Sequence, residues 1–436
     1  MRAVEAAAPV TEGELDSLFA DIAGVARIAL AVSGGADSLA LLDCVDRWRK
    51  HGRATDVTLL TVDHRLRPES ADEAAMVADI AVGRGLRHRI LAWDGLHPER
   101  DVEAAARHAR YGLLLGATRE AGASHLLVAH HRDDQAETFL MRLARGSGLF
   151  GLAAMRPSLQ AGEVTILRPF LDLPRSRLAA TTAAAGLVPA DDPMNHDPRF
   201  ERARIRRLMP LFAAEGLDPA MLAATAARLR MAADAIDRAA DAAIARHVTT
   251  DAMAVASAGR DLFSAPEEVR RRVLVRILMA VGGEPYPPRS ERLEALDRAM
   301  AEHGKGRFKR TLAGTVIEWR GGKFAFHREL GREGIAAVAL VPGSAFTFDG
   351  RFRVEAGEGL PAGLTLSALG EAGRLAIGAT AGEAPAGAIA ALPAIRRETA
   401  ILAVPSIGFG DVSLPVAVRP VLAAKLARPA LFPDFT

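Results

Sequence analysis

The chain has 436 residues, a single cysteine, half of its residues apolar and few aromatics. That length supports two or three domains with substantial cores, and one thiol excludes an internal disulfide framework or a thiolate zinc cluster and fits a reducing cytoplasm. A formal charge of +2 with a pI near 8.9 permits a nucleic-acid partner without requiring one, and no apolar window is long enough for a membrane span.

Residues 11–22 predict a short amphipathic lead-in helix, followed by an apolar run over 27–32 that reads as a buried parallel strand. The strand feeds a helix over 36–48 through SGGADS, residues 33–38. Ser33, Gly34, Gly35, Ala36, Asp37 and Ser38 thus place small side chains, hydroxyls and free backbone N–H groups where a nucleotide phosphate can sit. The ending Gly-Lys-Ser/Thr of kinase-type phosphate loops is missing, and two adjacent glycines do not make the GxGxxG turn of dinucleotide sites. Asp37 would repel phosphates unless a metal intervened, and a plain glycine-rich turn capped by Asp37 or Ser38 is the structural alternative. Cys44 falls among Leu41, Leu42 and Val45 and predicts a buried, inert thiol.

A second strand over 57–62 runs into VDHRLRPES, so Asp63, His64, Arg65 and Arg67 lie beyond a carboxyl-terminal strand end, where doubly wound sheets bind ligands. A helix follows over 70–83, and another over 101–122 carries Glu103, Arg107, Arg110 and Tyr111. Arg107 and Arg110, three apart, share a face on which two guanidinium groups can converge on phosphate or a nucleotide backbone; an ordinary solvated arginine is the alternative, and it weighs more for Arg107 than for Arg110. The strand 126–129 ends in HHRDDQAET, which crowds His130, His131, Asp133, Asp134 and Glu137 at a strand-to-helix junction. Carboxylates four apart can share a helix face and suit Mg2+ or an ammonium group. Zinc is disfavoured because this stretch holds no cysteine and no HExxH, and helix capping by Asp133 and Asp134 is compatible with any function. RGSGLFGL then predicts a mobile turn beside Arg145 able to close over a substrate.

Residues 166–180 predict the last strand of this domain, a turn at Arg168 and Pro169, and a helix from Pro174. DDPMNHDPRFERARIRRLMP, residues 191–210, places Arg199, Arg202 and Arg206 at helical spacing as one basic stripe. Residues 211–302 read as almost wholly helical, and HGKGRFKRTLAG over 303–314 is a basic patch with Lys305, Arg307, Lys309 and Arg310, in which Phe308 can stack on a base. Alternating segments over 323–328, 346–355 and 363–369 predict short strands; beyond 370 the pattern is low-complexity until an apolar run near 400–420. The expected architecture is α/β: a parallel-sheet, Rossmann-like catalytic domain of the adenine nucleotide hydrolase type over 1–210, a mainly helical domain over 211–330, and a small β-rich region over 331–436.

SGGADS resembles the SGGxDS loop of the N-type ATP pyrophosphatases, or PP-loop enzymes, which split ATP between the α and β phosphates. With VDHRLR, ARYGLL, AHHRDDQAET, RGSGLFGL, the RP at Arg168 and DDPMNHDPRFERARIR, the stretch 28–207 is similar to the tRNA(Ile)-lysidine synthases. Members of that family typically read DPSN and RNRIR where this chain has Met194 and Ala203, but Asp192, Asn195, Arg202 and Arg206 are in place. The resemblance implies ATP, Mg2+, free L-lysine and a CAU-anticodon isoleucine tRNA as cofactor and partners, a cytoplasmic enzyme, no membrane, and is compatible with a homodimer. It assigns residues 33–38 with His64 and Arg65 to ATP, Asp37 and Asp134 to the metal, and Asp37, His131, Asp133, Asp134, Glu137, Arg110, Arg202 and Arg206 to catalysis. Another adenylating PP-loop enzyme, such as a tRNA sulfurtransferase, and a non-catalytic RNA-binding protein are the alternatives; the paired cysteines of the tRNA 2-thiolation enzymes are absent.

Overall fold

A computed structural model describes residues 7–65, 69–93, 102–190, 197–284, 286–331, 334–378 and 384–427. Arg67, Asp192, Met194 and Asn195, and the side chain of Glu103, lie outside the described residues. The chain divides into two compact units within one long helix, after Ala233. Among the described residues no helix is long and apolar enough to cross a membrane.

The first unit is built on a six-stranded sheet. In chain order its elements are α1 (Glu12–Leu18), β1 (Arg27–Ala31), α2 (Ala36–Lys50), β2 (Asp56–Asp63), α3 (Glu69–Gly83), β3 (Arg87–Ala92), α4 (Val102–Glu120), β4 (His125–Leu127), α5 (Arg132–Ala144), α6 (Leu149–Leu152), β5 (Ser158–Ala161), β6 (Val164–Leu167), α7 (Arg175–Ala184) and α8 (Glu201–Ala214). Strand order is β3-β2-β1-β4-β6-β5, all parallel except β5, which pairs antiparallel with β6. β6 is the expected last strand, and β5 is an addition to it, because SLQA carries too few β-branched residues to stand out. Chain order reverses direction between β1 and β4, so a crevice opens at the carboxyl ends of those two strands.

Parallel strands are buried on both faces, which is why β1 and β4 read as continuous apolar runs. Ile28, Ala29, Leu30 and Leu126 are fully buried, as are Leu39, Leu41 and Leu42 of α2. Trp48 stacks at a tilt on Phe19, with ring centroids 5.6 Å apart, and its indole N–H donates to Asp16 Oδ1 at 3.1 Å. Burying such a ring contributes roughly 2–3 kcal/mol, and it ties the lead-in helix α1 to α2.

The second unit begins in α9 (Pro219–His247) and continues through β7 (Val248–Thr250), β8 (Ala256–Gly259), α10 (Glu267–Gly282), α11 (Ser290–Ala301), β9 (Lys309–Leu312), β10 (Thr315–Arg320) and β11 (Lys323–Arg328). Five of its strands form an antiparallel sheet of order β7-β8-β11-β10-β9. The stretch expected to be almost wholly helical is therefore interrupted by β7 and β8, whose three and four residues, including Ala-Ser-Ala-Gly, give no alternation to read. Eight further strands follow in two antiparallel sheets: β12 (Val338–Ala339), β13 (Ala345–Phe348), β14 (Phe352–Ala356), β15 (Leu364–Ala368), β16 (Pro393–Arg397), β17 (Ala400–Val404), β18 (Phe409–Gly410) and β19 (Val416–Pro420). Their apolar faces share one core with α10 and α11, in which Phe324, Phe352, Leu366 and Ile395 are fully buried. Asp237 and Asp241, one turn apart on α9, meet Arg272 and Arg276, one turn apart on α10, each at 2.5 Å. Only the Asp237–Arg272 pair is buried on both sides, and removing one partner of such a pair costs about 3–5 kcal/mol; Asp241 is half exposed.

Candidate active site

The turn after β1 sits at the crevice because Val32 N–H still pairs with Leu60 O at 2.9 Å, carrying the chain to the sheet edge before it breaks. Gly34 takes φ +84°, which an L side chain adopts only with strain, and a Cβ there would lie 3.0 Å from Met76 Cε. Gly35 is the N-cap of α2, so Ala36 and Asp37 open the helix and their N–H groups have no helical carbonyl ahead of them. Ser38 Oγ donates to Gly35 O at 2.9 Å and accepts from Ser33 N–H at 3.1 Å, so its proton stabilises the turn itself. The anion-facing donors are then the backbone of the first helical turn and the Ser33 hydroxyl. Gly34→Ala should lower Tm by about 2–5 °C and raise the KM for ATP; an unchanged KM would show that the loop conformation does not matter for nucleotide binding.

Beyond β4, His131 is the N-cap of α5. Its Nδ1 accepts from Asp134 N–H at 3.3 Å while Asp134 Oδ2 accepts from His131 N–H at 3.1 Å, a reciprocal capping box that locks both side chains. His131 Nε2 then lies 3.4 Å from Asp37 Oδ2 and 3.4 Å from Asp134 Oδ2. The imidazole thus bridges the phosphate turn and α5, and the two carboxylates fall within twice that distance of each other. Burial works against a charged ring, but Asp134, Asp37 and Asp133 outweigh it and raise the His131 pKa.

α8 packs on α5 through Ile205, Met209 and Phe212 against Ala136, Phe139 and Leu140, and the same helical spacing points Arg202 and Arg206 at Glu137. Arg206 Nε donates to Glu137 Oε1 at 2.6 Å, Arg202 Nε lies 3.3 Å from Oε2, and Arg206 Nη2 reaches Asp134 Oδ1 at 3.5 Å. Burial opposes ionisation of Asp134, yet His131 and Arg202 hold its pKa well below the usual carboxylate range. Burial and the neighbouring Asp134 charge push Glu137 the other way, above its ordinary value, despite Arg206. Two carboxyls whose surroundings separate their pKa values divide naturally into a permanent anion and a proton acceptor.

The remaining expected residues fall around this centre. Asp133 Oδ2 accepts from Arg175 N–H at 2.9 Å, capping α7, and stands 3.9 Å from His131 Nδ1, so it braces the site from outside the acidic pair. Arg110 lies on α4 with its guanidinium 5.4 Å from the Tyr111 ring centroid. His64 follows β2 with its ring edge on Trp93, centroids 6.2 Å apart, and Arg65 has φ 52° with its N–H on Asp63 Oδ1. Arg199 departs from the expected stripe: it precedes α8, is exposed, and pairs with Asp197 at 2.6 Å, because the helix starts only at Glu201. Arg145 pairs with Glu201 beside the short helix α6, where a mobile turn was expected. Phe308 is buried against Phe324, centroids 5.2 Å apart, and cannot stack on a base, whereas Lys305, Arg307, Lys309 and Arg310 are exposed.

Sequence reasoning missed Arg175, whose Nε is 3.9 Å from Asp37 Oδ2, and Gln135, whose amide clamps the Met155 backbone at 2.8 and 2.9 Å. The proline before Arg175 marks a helix start that a carboxylate can cap, which was the available signal for the first. Among the described residues no group of three or more His, Cys, Asp or Glu side chains is arranged to hold a metal. Asp37 Oδ1 is nevertheless buried without a hydrogen-bond partner among the described residues, as an oxygen awaiting a cation would be. Cys44 is buried, and burial pushes its thiol up to about 11, so it is no nucleophile.

A family model described as "PP-loop domain" matches residues 8–212. The tRNA(Ile)-lysidine synthase of Bradyrhizobium sp. (strain BTAi1) is 46% identical over 330 residues, covering 71% of this chain and 92% of that one. That of Methylobacterium sp. (strain 4-46) is 48% identical over 304 residues, covering 68% and 87%. That of Ruegeria pomeroyi is 38% identical over 304 residues, covering 70% and 71%.

Proposed function

This chain belongs to the tRNA(Ile)-lysidine synthase family, and from that premise we propose that it joins free lysine to C2 of the wobble cytidine, C34, of a CAU-anticodon isoleucine tRNA at the expense of ATP. The observation that carries the reading is the convergence of Asp37 from the phosphate turn with Asp134 and Glu137 of α5 around His131. A cradle for a leaving diphosphate and a trap for an incoming ammonium group are thereby held side by side.

The reaction has two displacements. Cytosine O2 attacks the α-phosphorus, an O–P bond forms, and the bond to the bridging oxygen breaks as diphosphate leaves. The lysine ε-amine, after losing a proton, attacks C2, and the C2–O bond breaks with release of AMP. First-turn N–H groups of α2 and Ser33 receive the diphosphate. Asp134, the permanent anion, draws in the lysine ammonium, and Glu137 takes its proton. His131 orients Asp37 and Asp134, and Asp133 keeps the α5 and α7 ends together. Arg110, Arg202 and Arg206 face the negative charge of the adenylated base, with His64 and Arg65 flanking the nucleotide at the next strand end. Asp37 and Asp134 would hold Mg2+, since one or two carboxylates completed by phosphate oxygens and water are its usual set; it would supply neutralisation of charge on the triphosphate. C34 must leave the anticodon stack, a modest cost in a single-stranded loop.

The decisive assay is incorporation of labelled lysine into a C34 isoleucine tRNA with ATP; no incorporation by folded protein would refute the reading. Sulfur transfer has no support, because the lone Cys44 is buried and has no partner thiol. The reading takes residues up to 210 as the catalytic domain and the later residues as tRNA-contacting, in the cytoplasm. The exposed patch Lys305, Arg307, Lys309 and Arg310 then meets tRNA phosphates. Arg307→Ala is expected to weaken tRNA binding severalfold at raised salt and to reduce the salt slope by about 1, measured by filter binding across a KCl series. A loss of kcat at saturating tRNA would instead assign Arg307 to the chemistry.

A further inference from the structure

The first unit contains a second charged cluster, beside the acidic pair. Arg107, one turn before Arg110 on α4, was expected to be solvated unless it joined Arg110 on phosphate, and its Nε and Nη2 are enclosed by protein and have no hydrogen-bond partner among the described residues. His130 Nδ1, at the end of β4, is likewise enclosed and unpartnered. The charges that act on Arg107 include Arg110, Arg202 and Arg168, all of its own sign, and the Tyr111 hydroxyl, which opposes them. Burial first, and Arg110 after it, bring the guanidinium pKa down to about 9. An enclosed guanidinium with two idle donors among other arginines is costly to fold, and an anion seated there relieves it.

Nε and Nη2 form one side of the guanidinium fork, the edge that grips a planar carboxylate through two parallel hydrogen bonds. The cluster also adjoins the ammonium-binding acids. Arg202, which acts on Arg107, has its Nε 3.3 Å from Glu137 Oε2, and His130 is influenced by both Asp134 and Arg107. A free amino acid carries a carboxylate and ammonium groups in one short molecule, so adjacent seats of opposite charge match it. ATP phosphates have their own cradle at residues 33–38, on a different strand end.

We propose that Arg107, assisted by His130, binds the α-carboxylate of the amino-acid substrate and so selects a free amino acid over a simple amine. This rests on the reading of the site as one that takes free lysine. The test compares lysine with 1,5-diaminopentane, which has both amines but no carboxylate, in tRNA-dependent AMP release by the full chain and its Arg107→Met and Arg107→Lys variants. The wild type should favour lysine by about a hundredfold in kcat/KM. Arg107→Met should erase that preference by raising the lysine KM, with diaminopentane use and the KM for ATP unchanged. Arg107→Lys, which keeps the charge but not the fork, should retain part of the preference and covers the case in which the Met variant fails to fold. A wild type indifferent to the carboxylate, or a variant with a raised ATP KM and normal lysine KM, overturns the proposal, the latter assigning the seat to phosphate. Absence of lysine incorporation by the wild type overturns the underlying reading instead, and the two failures are distinguishable.

Discussion

Asp37→Ala will abolish adenylation of the tRNA, with diphosphate release falling at least about a thousandfold, while the protein stays folded. The fold tolerates the change because Asp37 is only half-buried and has no short hydrogen bond to lose: its nearest charged neighbours are His131 Nε2 at 3.4 Å and Arg175 Nε at 3.9 Å. Removing a carboxylate from the first turn of α2 forfeits a favourable helix-dipole interaction of at most about 1 kcal/mol, visible as a small shift in Tm. The chemistry does not tolerate it, since Asp37, in the first turn of α2, supplies a buried oxygen with no hydrogen-bond partner among the described residues. Diphosphate release and circular dichroism on the same preparation make the comparison. Retention of more than about a tenth of the release rate by a folded variant would remove Asp37 from the mechanism, the threshold being set well above the expected loss.

Glu137→Gln is expected to separate the two half-reactions. The amide keeps the volume of the side chain and an oxygen for Arg206 Nε, now at 2.6 Å from Oε1, so α5 and α8 should remain docked. Adenylation proceeds without this group, because no proton of lysine is involved in it. The second displacement loses its proton acceptor and part of the ammonium site, which should slow lysine-dependent AMP release by about a hundredfold to a thousandfold. Adenylated tRNA should therefore accumulate on the variant and be detectable as tRNA-bound label from α-labelled ATP. Equal loss of diphosphate release and AMP release would mean that Glu137 serves the first step or the fold. Truncation to alanine is a poorer probe: it would strand Arg202 and Arg206, and breaking a buried ion pair by removing one partner costs about 3–5 kcal/mol.

Much of the site was legible in the chain because its parts are local. A strand that ends in small residues and opens a helix presents N–H groups whatever the rest of the protein does, so residues 33–38 declare themselves. HHRDDQAET is legible for the same reason: its acids share the first turns of one helix, α5. The basic stripe was half legible, since spacing alone suggested Arg199 as well as Arg202 and Arg206, and only the starting point of α8 decided which arginines belong to it.

What the amino-acid order determined by itself is the alternation of apolar strands and helices, the phosphate turn and the acidic helix start, each encoded within a few residues. Tertiary structure decided which charges answer which. Glu137 and Arg206 are 69 positions apart, and their 2.6 Å bond exists because apolar residues of α5 and α8 interlock. Phe308 shows the limit from the other side: its sequence context is basic and exposed, yet a side chain's burial depends on the sheet it folds against, and that sheet takes it into the aromatic core. For Arg107 the sequence left solvation and a phosphate contact both open, and its guanidinium is enclosed because α4 packs against the sheet beside three further arginines. Electrostatic pairing and burial are properties of approach distances between remote segments, and periodicity along one segment carries no information about them.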